Sequence, residues 1–441
     1  MRFNHMRTRL LYVWEIIRTS FWFFPLLLVI GAIGLAIGFV YMDSVFVYKP
    51  DNALKYFFTG GVDSARNILS TIAGAMLGVA STVFSITLVA LTLASSQFGS
   101  RLLRNFMHDR LNQFVLGTYI ATFIYCLLVL RTVKSTAEVE FIPNISVLFA
   151  ILLALGNIFL LIIFIHHISM SIQADNVVSE ISAKLHKNID TLFPEELGKE
   201  KDEDKEELLK EVKEELSVES SVTCRTTGYL QAIDENALMK IARNRNLLVL
   251  LDHNPGDFVI EKQILLKVHS KEECGYELTE KLQGVFLFGE KRTPIQDTEF
   301  AIHQLVEIAS RALSPGINDP YTAITCVDKL TGIMCKLAGV DFPSAYRFDK
   351  DGKLRVVAKP ATFSGVMDAA YNQIRQFGAT VPSVIIRLME SFSYIHSFVQ
   401  NDMQKEALLK HVKMVLETAE SSNMNASDLD DLRRRYKEIE S

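Results

Sequence analysis

Residues Ile68 to Ala94 read ILSTIAGAMLGVASTVFSITLVALTLA, a stretch with no Asp, Glu, Lys, Arg or His. A helix needs about 20 mostly apolar residues to cross the hydrocarbon core of a bilayer, so this one is long enough to span. It is not uniformly greasy. Thr71, Gly74, Gly78, Ser81 or Thr82, Ser85, Thr92 and Ser96 recur at steps of three and four, which lines small and hydroxyl side chains along one helical stripe. Two readings of the stripe stand side by side. Small residues let backbones approach closely in lipid, so it can be a packing face. It can also be the weakly polar wall of a water-filled path. It ends in Ser95, Ser96 and Gln97, then Arg101 and Arg104, and a cationic mouth favours anions. That second reading needs a symmetric homo-oligomer with this helix at its axis.

Three more segments have the same character. Phe21–Tyr41 (FWFFPLLLVIGAIGLAIGFVY) opens on an aromatic cluster and closes on a tyrosine, as interfacial belts do. It is too long for a signal peptide, and no small-residue cleavage site follows before Asp43. Phe114–Leu130 and Ile145–Ile165 complete an expected set of four spans. Arg2, Arg7, Arg9 and Arg18 precede the first span, and Arg101, Arg104 and Arg110 fill the loop between the second and third. The positive-inside rule puts both segments in the cytoplasm, and with them both chain termini. The expectation is a multi-pass inner-membrane protein, its partners the lipid bilayer and further copies of itself.

The whole chain has 441 residues, 49% of them hydrophobic, and a formal net charge of −5. That balance offers no argument for nucleic-acid binding. Five scattered cysteines, with no C-x-x-C pair, suggest reduced thiols in a cytosolic compartment rather than a disulfide framework.

Beyond the spans the period changes. His166 and His167 are adjacent, so they point to different helix faces and make a poor metal pair; interfacial hydrogen bonding is the better reading. Glu195–Glu219 is dense in charge, with a thin apolar stripe at Leu208, Leu209, Val212 and Leu216, as in a solvated helix or partly ordered insert. Gly228–Ile233 looks like a strand, and Asp234 can cap a helix over Glu235–Asn244. Asn246–Val268 reads as paired strands broken at Asn254-Pro255-Gly256. The pattern PGDFV followed by QILLKV resembles the hammerhead strands of biotinyl/lipoyl-like barrels. It lacks the modifiable lysine between paired methionines, so no covalent cofactor is implied. Along Thr298–Leu313, Glu299, His303 and Glu307 share one face. A solvated ion-paired face outweighs a metal site there.

Arg311–Ala323 reads RALSPGINDPYTA. Ser314-Pro315-Gly316 stops one helix, and Asp319 with Pro320 starts the next as N-cap and first helical residue. Arg311 in the last turn suits the helix dipole and can reach Asp319. Arg311, Ser314, Asn318 and Asp319 therefore read as a corner, and as candidates for a ligand or subunit contact. No nucleophile elbow, Ser-His-Asp order or phosphate loop accompanies them, so the chain does not read as an enzyme. Phe363–Ser441 is helical throughout, with Val381-Pro382-Ser383 and Asn425–Asp428 opening its later helices.

The corner motif, together with Ala90–Arg110 (ALTLASSQFGSRLLRNFMHDR) and Thr227–Asp234 (TGYLQAID), resembles a bacterial family of predicted inner-membrane proteins, DUF2254. The resemblance implies topology and location, and it supplies no activity. The expected architecture is an α-helical transmembrane bundle over residues 1–168. A charged helical linker follows over 169–222, then a small barrel-like β module over 223–290 and a helical cytosolic domain over 291–441. The function expected is a homo-oligomeric channel or pore-like transporter for an ion or small anionic solute, without metal or cofactor. The alternative is a membrane-anchored scaffold or sensor.

Overall fold

The computed structural model describes residues 22–45, 61–99, 109–136, 139–192, 203–297 and 299–440. It divides into two compact units, Met1–Asn176 and Val177–Ser441. The first holds four helices long and apolar enough to cross a membrane: α1 (Phe23–Val45), α2 (Val62–Phe98), α3 (Arg110–Thr132) and α4 (Asn144–Ser171). Helix is what such sequences must form in lipid, because every backbone polar group then bonds within its own segment. A short hairpin, β1 (Lys134–Thr136) with β2 (Val139–Phe141), joins α3 to α4.

Helix α3 packs on each of the other three. Gly117 lets α1 come close: a Cβ there would lie 2.7 Å from Leu28 Cδ1 and 2.9 Å from Pro25 Cα. Two carboxylates finish the bundle. Asp43, at the end of α1, accepts from the backbone N–H groups of Ile145 and Ser146 and from the Ser146 hydroxyl, at 2.9, 3.0 and 2.6 Å. It thus caps α4. Asp109 caps α3 by accepting from Leu111 N–H at 2.9 Å. Both caps satisfy amides that a helix start leaves open.

The second unit begins with α5 (Ala174–Leu192), which buries Val177, Val178, Ile181, Leu185 and Ile189. The charged stretch forms α6 (Glu203–Glu215), whose Leu208, Leu209 and Val212 pack with Leu216 against Leu248 and Leu354. Strands β3 (Val218–Thr223), β4 (Gly228–Ile233), β5 (Leu248–Leu251), β6 (Phe258–Val259), β7 (Ile264–Ser270) and β8 (Phe286–Gly289) follow, with α7 (Glu235–Arg245) and α8 (Tyr276–Gln283) between them. Asp234 caps α7, accepting from Ala237 N–H at 2.9 Å, as its sequence position predicts.

The barrel-like expectation needs correcting. The strands lie in two open sheets, one ordered β3-β7-β5-β10-β9 and one ordered β6-β4-β8. β9 (Tyr346–Phe348) and β10 (Leu354–Val357) come from far down the chain, and β10 pairs in parallel with β5. The residues after the Pro-Gly turn pair with β4 as β6, while β5 pairs with β7. The pieces of the hammerhead pattern thus serve different sheets. Their inner faces share one core that includes Val222, Leu230, Val249, Leu266, Val268 and Phe286.

The remaining helices are α9 (Phe300–Ala312), α10 (Pro320–Ala338), α11 (Phe363–Phe377), α12 (Pro382–His396), α13 (Asp402–Glu420) and α14 (Ala426–Glu440). They form a bundle in which α10 packs on α9 and α12, and α13 on α11, α12 and α14.

Candidate functional site

Helix α2 has 37 residues, about 55 Å at the usual rise and well beyond a hydrocarbon core of about 30 Å. It presents two seams. Leu69, Ala73, Met76, Ala80, Val83, Ala90 and Ala94 are buried, and those from Leu69 to Val83 belong to the two cores shared with α3 and α4. Opposite them, Thr71, Gly74, Gly78, Thr82, Ser85, Thr92, Ser96 and Gln97 are all exposed. A Cβ added at Gly74 or Gly78 would meet nothing within 4 Å. Packing within the protomer is therefore the work of the alanine seam, and the glycine and hydroxyl seam is left open. Arg101 and Arg104 lie outside the described residues.

The open seam is more regular than its sequence reading. Asn67, Thr71, Gly74, Gly78, Ser81, Ser85, Leu88, Thr92 and Ser95 follow alternating steps of four and three. Such a repeat keeps one seam facing a partner helix along a left-handed supercoil. Leu88 alone among them is large and apolar. The hydroxyls bond to their own helix: Thr82 to Gly78 O at 3.1 Å, Ser85 to Ser81 O at 2.9 Å, Thr92 to Leu88 O at 2.9 Å and Ser96 to Leu93 O at 2.8 Å. The donors are satisfied, and the Thr82, Ser85 and Thr92 oxygens can still accept from water or a neighbour.

A second polar set lies inside the bundle, where the sequence reading did not look. Asn157, midway along α4 and 2% exposed, donates from Nδ2 to Thr122 Oγ1 at 2.8 Å. The Tyr119 hydroxyl donates to Asn157 O at 2.5 Å, and that of Tyr125 to Ser146 O at 3.1 Å. Such bonds tie spans together where no water competes. A single amide in the run Ile145–Ile165 was the signal that could have found them, since an unbonded amide there is costly.

In the second unit, the corner is closed on itself. Asp319 accepts from Thr322 N–H at 3.1 Å and from the Thr322 hydroxyl at 2.5 Å. The Ser314 hydroxyl donates to Arg311 O at 2.6 Å. Asn318 adopts the left-handed region, φ +49°, which Asn tolerates better than most residues. The corner exposes Pro315, Gly316, Ile317, Asn318 and Tyr321, Tyr321 being 81% exposed. On α9, His303 Nε2 lies 3.3 Å from Glu299 Oε2, and this hydrogen bond holds the Glu299 carboxyl below its ordinary range. Among the described residues no group of three His, Cys, Asp or Glu side chains is arranged to hold a metal.

The chain matches the family model described as predicted membrane protein DUF2254 over residues 18–394. It is also 30% identical over 403 residues to uncharacterised proteins of Mycobacterium bovis and Mycobacterium tuberculosis, an alignment covering 90% of this chain and 76% of each relative. No solved structure matches it. The family match covers the four apolar helices, both sheets and the RALSPGINDPYTA corner, and on it this chain is a member of the DUF2254 family of membrane proteins.

Proposed function

We propose that the protein is a homo-oligomeric channel or pore-like transporter, with the open seam of α2 facing a path shared among copies. One observation carries this: beside the outward-facing Leu77, Phe84, Leu88, Val89 and Leu93, α2 keeps an exposed strip of Gly, Ser and Thr at Thr71, Gly74, Gly78, Ser81 and Ser85. A face meant for acyl chains needs no such composition. A hydrated path needs polar atoms along its wall, and these hydroxyl oxygens can accept hydrogen bonds from its water. Arg101 and Arg104 beyond the seam favour anions. Four crossings return the chain to its starting side, and the arginine distribution makes that side the cytoplasm of a bacterial inner membrane. No catalytic step, cofactor or metal belongs to this reading.

Flux through liposomes containing the purified protein tests it, combined with single cysteines in a background freed of the five native ones. A hydrophilic thiol reagent modifies S85C and T92C and blocks flux, while A80C on the buried seam stays unmodified. Absence of flux, or equal protection of all three, contradicts the reading.

The exposed Ile317 and Tyr321 support a second reading, a membrane-anchored scaffold whose corner docks a partner. Capture of one stoichiometric partner, lost in Tyr321→Ala, favours it over conduction.

A further inference from the structure

Residues seven apart on α2 fall into register along the open seam. Its centre reads Thr71, Gly78, Ser85 and Thr92, and between these lie the pairs Gly74-Ala75, Ser81-Thr82, Leu88-Val89 and Ser95-Ser96. Leu88 and Val89 alone are neither small nor hydroxylated. They are 47% and 59% exposed, with a hydroxyl pair one heptad before them and another one heptad after. The flanks of the seam are apolar at every level: Leu77, Phe84 and Leu91 on one side, Val79, Ile86 and Leu93 on the other. Lipid contact asks for such flanks. It gives no reason to confine the large residues of the seam to one layer. That layer also has a defined depth. Arg66, near the start of α2, donates from Nη2 to Val133 O at the end of α3, at 3.3 Å. Further along, Asn157 Nδ2 meets both Met76 Sδ and Thr122 Oγ1, so α2 and α3 run antiparallel in step. Leu88 follows Arg66 by 22 residues and Leu111 precedes Val133 by 22, about 33 Å at the usual rise. Leu88 and Val89 therefore stand level with the first turn of α3, where a hydrocarbon core of about 30 Å ends.

We propose that Leu88 and Val89 form a hydrophobic gate in the path shared among copies. The inference rests on the channel reading and adds its regulation. An apolar constriction shuts a pore by expelling water rather than by filling the opening. Water between the copies can bond to the hydroxyl oxygens of Ser85 on one side of the layer and Thr92 on the other. At the layer itself the side chains offer it no polar atom. An ion crossing there sheds hydration and receives nothing in exchange, which is costly in apolar surroundings. The path conducts when the copies part far enough at this level for water to enter. The fold leaves room for such a motion. Helix α2 runs on from Val89 to Phe98, past the start of α3, so a tilt of this last segment widens the layer. The seam packed on α3 and α4 from Leu69 to Val83 stays in place.

The test is flux through liposomes holding the full chain, compared among Leu88→Asn, Leu88→Ala, Val89→Thr and, on the apolar flank, Leu93→Asn. Asn is larger than Ala, so a plug that works by bulk opens more in Leu88→Ala, and a gate that works by dewetting opens more in Leu88→Asn. Val89→Thr adds a hydroxyl at nearly constant shape. It carries the test alone if a Leu88 variant fails to assemble in size-exclusion chromatography. The expected result is a rise in flux of about tenfold in Leu88→Asn, with smaller rises in Val89→Thr and Leu88→Ala and none in Leu93→Asn. Unchanged flux in both polar seam variants, or a larger gain in Leu88→Ala than in Leu88→Asn, overturns the gate and leaves the channel reading standing. Absence of flux in the wild type and in every variant overturns the channel reading, and the gate with it.

Discussion

The outward face of α4 carries Leu152, Leu155, Ile158, Phe159 and Ile162; that of α2 carries Thr71, Gly74, Gly78, Ser85 and Thr92. Both faces are open in the protomer, and both belong to helices apolar enough to cross a bilayer. α2 also turns Leu77, Phe84, Leu88, Val89 and Leu93 outward, so only the Gly, Ser and Thr strip departs from what acyl chains ask of a helix. On the proposed function that strip faces other copies of the chain, because the buried seam is already filled within the protomer.

The largest effect separates inner from outer glycines. Gly117→Leu drives a side chain into Leu28 and Pro25, and overpacking of that kind costs about 3 kcal/mol. Thermal unfolding of the membrane unit should fall by many degrees. Gly78→Leu meets nothing in its own protomer, so on the proposed function its unfolding midpoint stays put while the oligomer breaks up in size-exclusion chromatography. Two glycines with the same response erase the distinction between the seams.

Next in size is a response confined to the second unit, and it sets the background for any acid-induced change. His411 on α13 is 1% exposed and 3.1 Å from Asp368. Burial pushes its imidazole down to about 4. The folded unit excludes a proton that the unfolded chain takes up from about pH 6.5. Its stability is thus full above that pH and drains away as pH falls toward 4, by an amount on the order of 3 kcal/mol. Circular dichroism melts across this window show the slope, and His411→Gln flattens it. A wild-type melt indifferent to pH contradicts this.

Smaller still is Asn157→Leu, which deletes the bond to Thr122 inside the bundle. Hydrogen bonds between membrane helices are worth about 1 kcal/mol, so the midpoint drops by a few degrees without loss of assembly. Smallest of all on stability are Ser85→Ala and Thr92→Ala. Their hydroxyls donate only to their own helix, so unfolding shifts by no more than about 0.5 kcal/mol. A change in ion selectivity at unchanged stability sharpens the contrast with Asn157, where stability moves and selectivity does not.

Local physics was legible in the residues. Apolar length marked the four spans, and the helix-start chemistry of Asp234 and of Asp319-Pro320 marked two helix boundaries. Contacts between distant segments were not. Asp43 caps α4 from 102 positions away, and no local period announces a carboxylate aimed at another helix. β10 joins the sheet at β5 across about a hundred residues, so the strand pattern around Pro255 suggested a self-contained barrel where the chain builds two open sheets. Along α2 the stripe was visible, but its sidedness was not: only the packing of Ala73, Met76 and Ala80 shows which seam is spent and which is free.

The most direct test is a particle image of the full chain in nanodiscs, resolved well enough to count subunits and trace helices. The account predicts several copies around an axis, with α2 innermost and Gly74, Gly78, Ser85 and Thr92 turned toward a hydrated centre. A lone protomer, or a ring whose axis is filled by lipid or by α1 or α4, contradicts it.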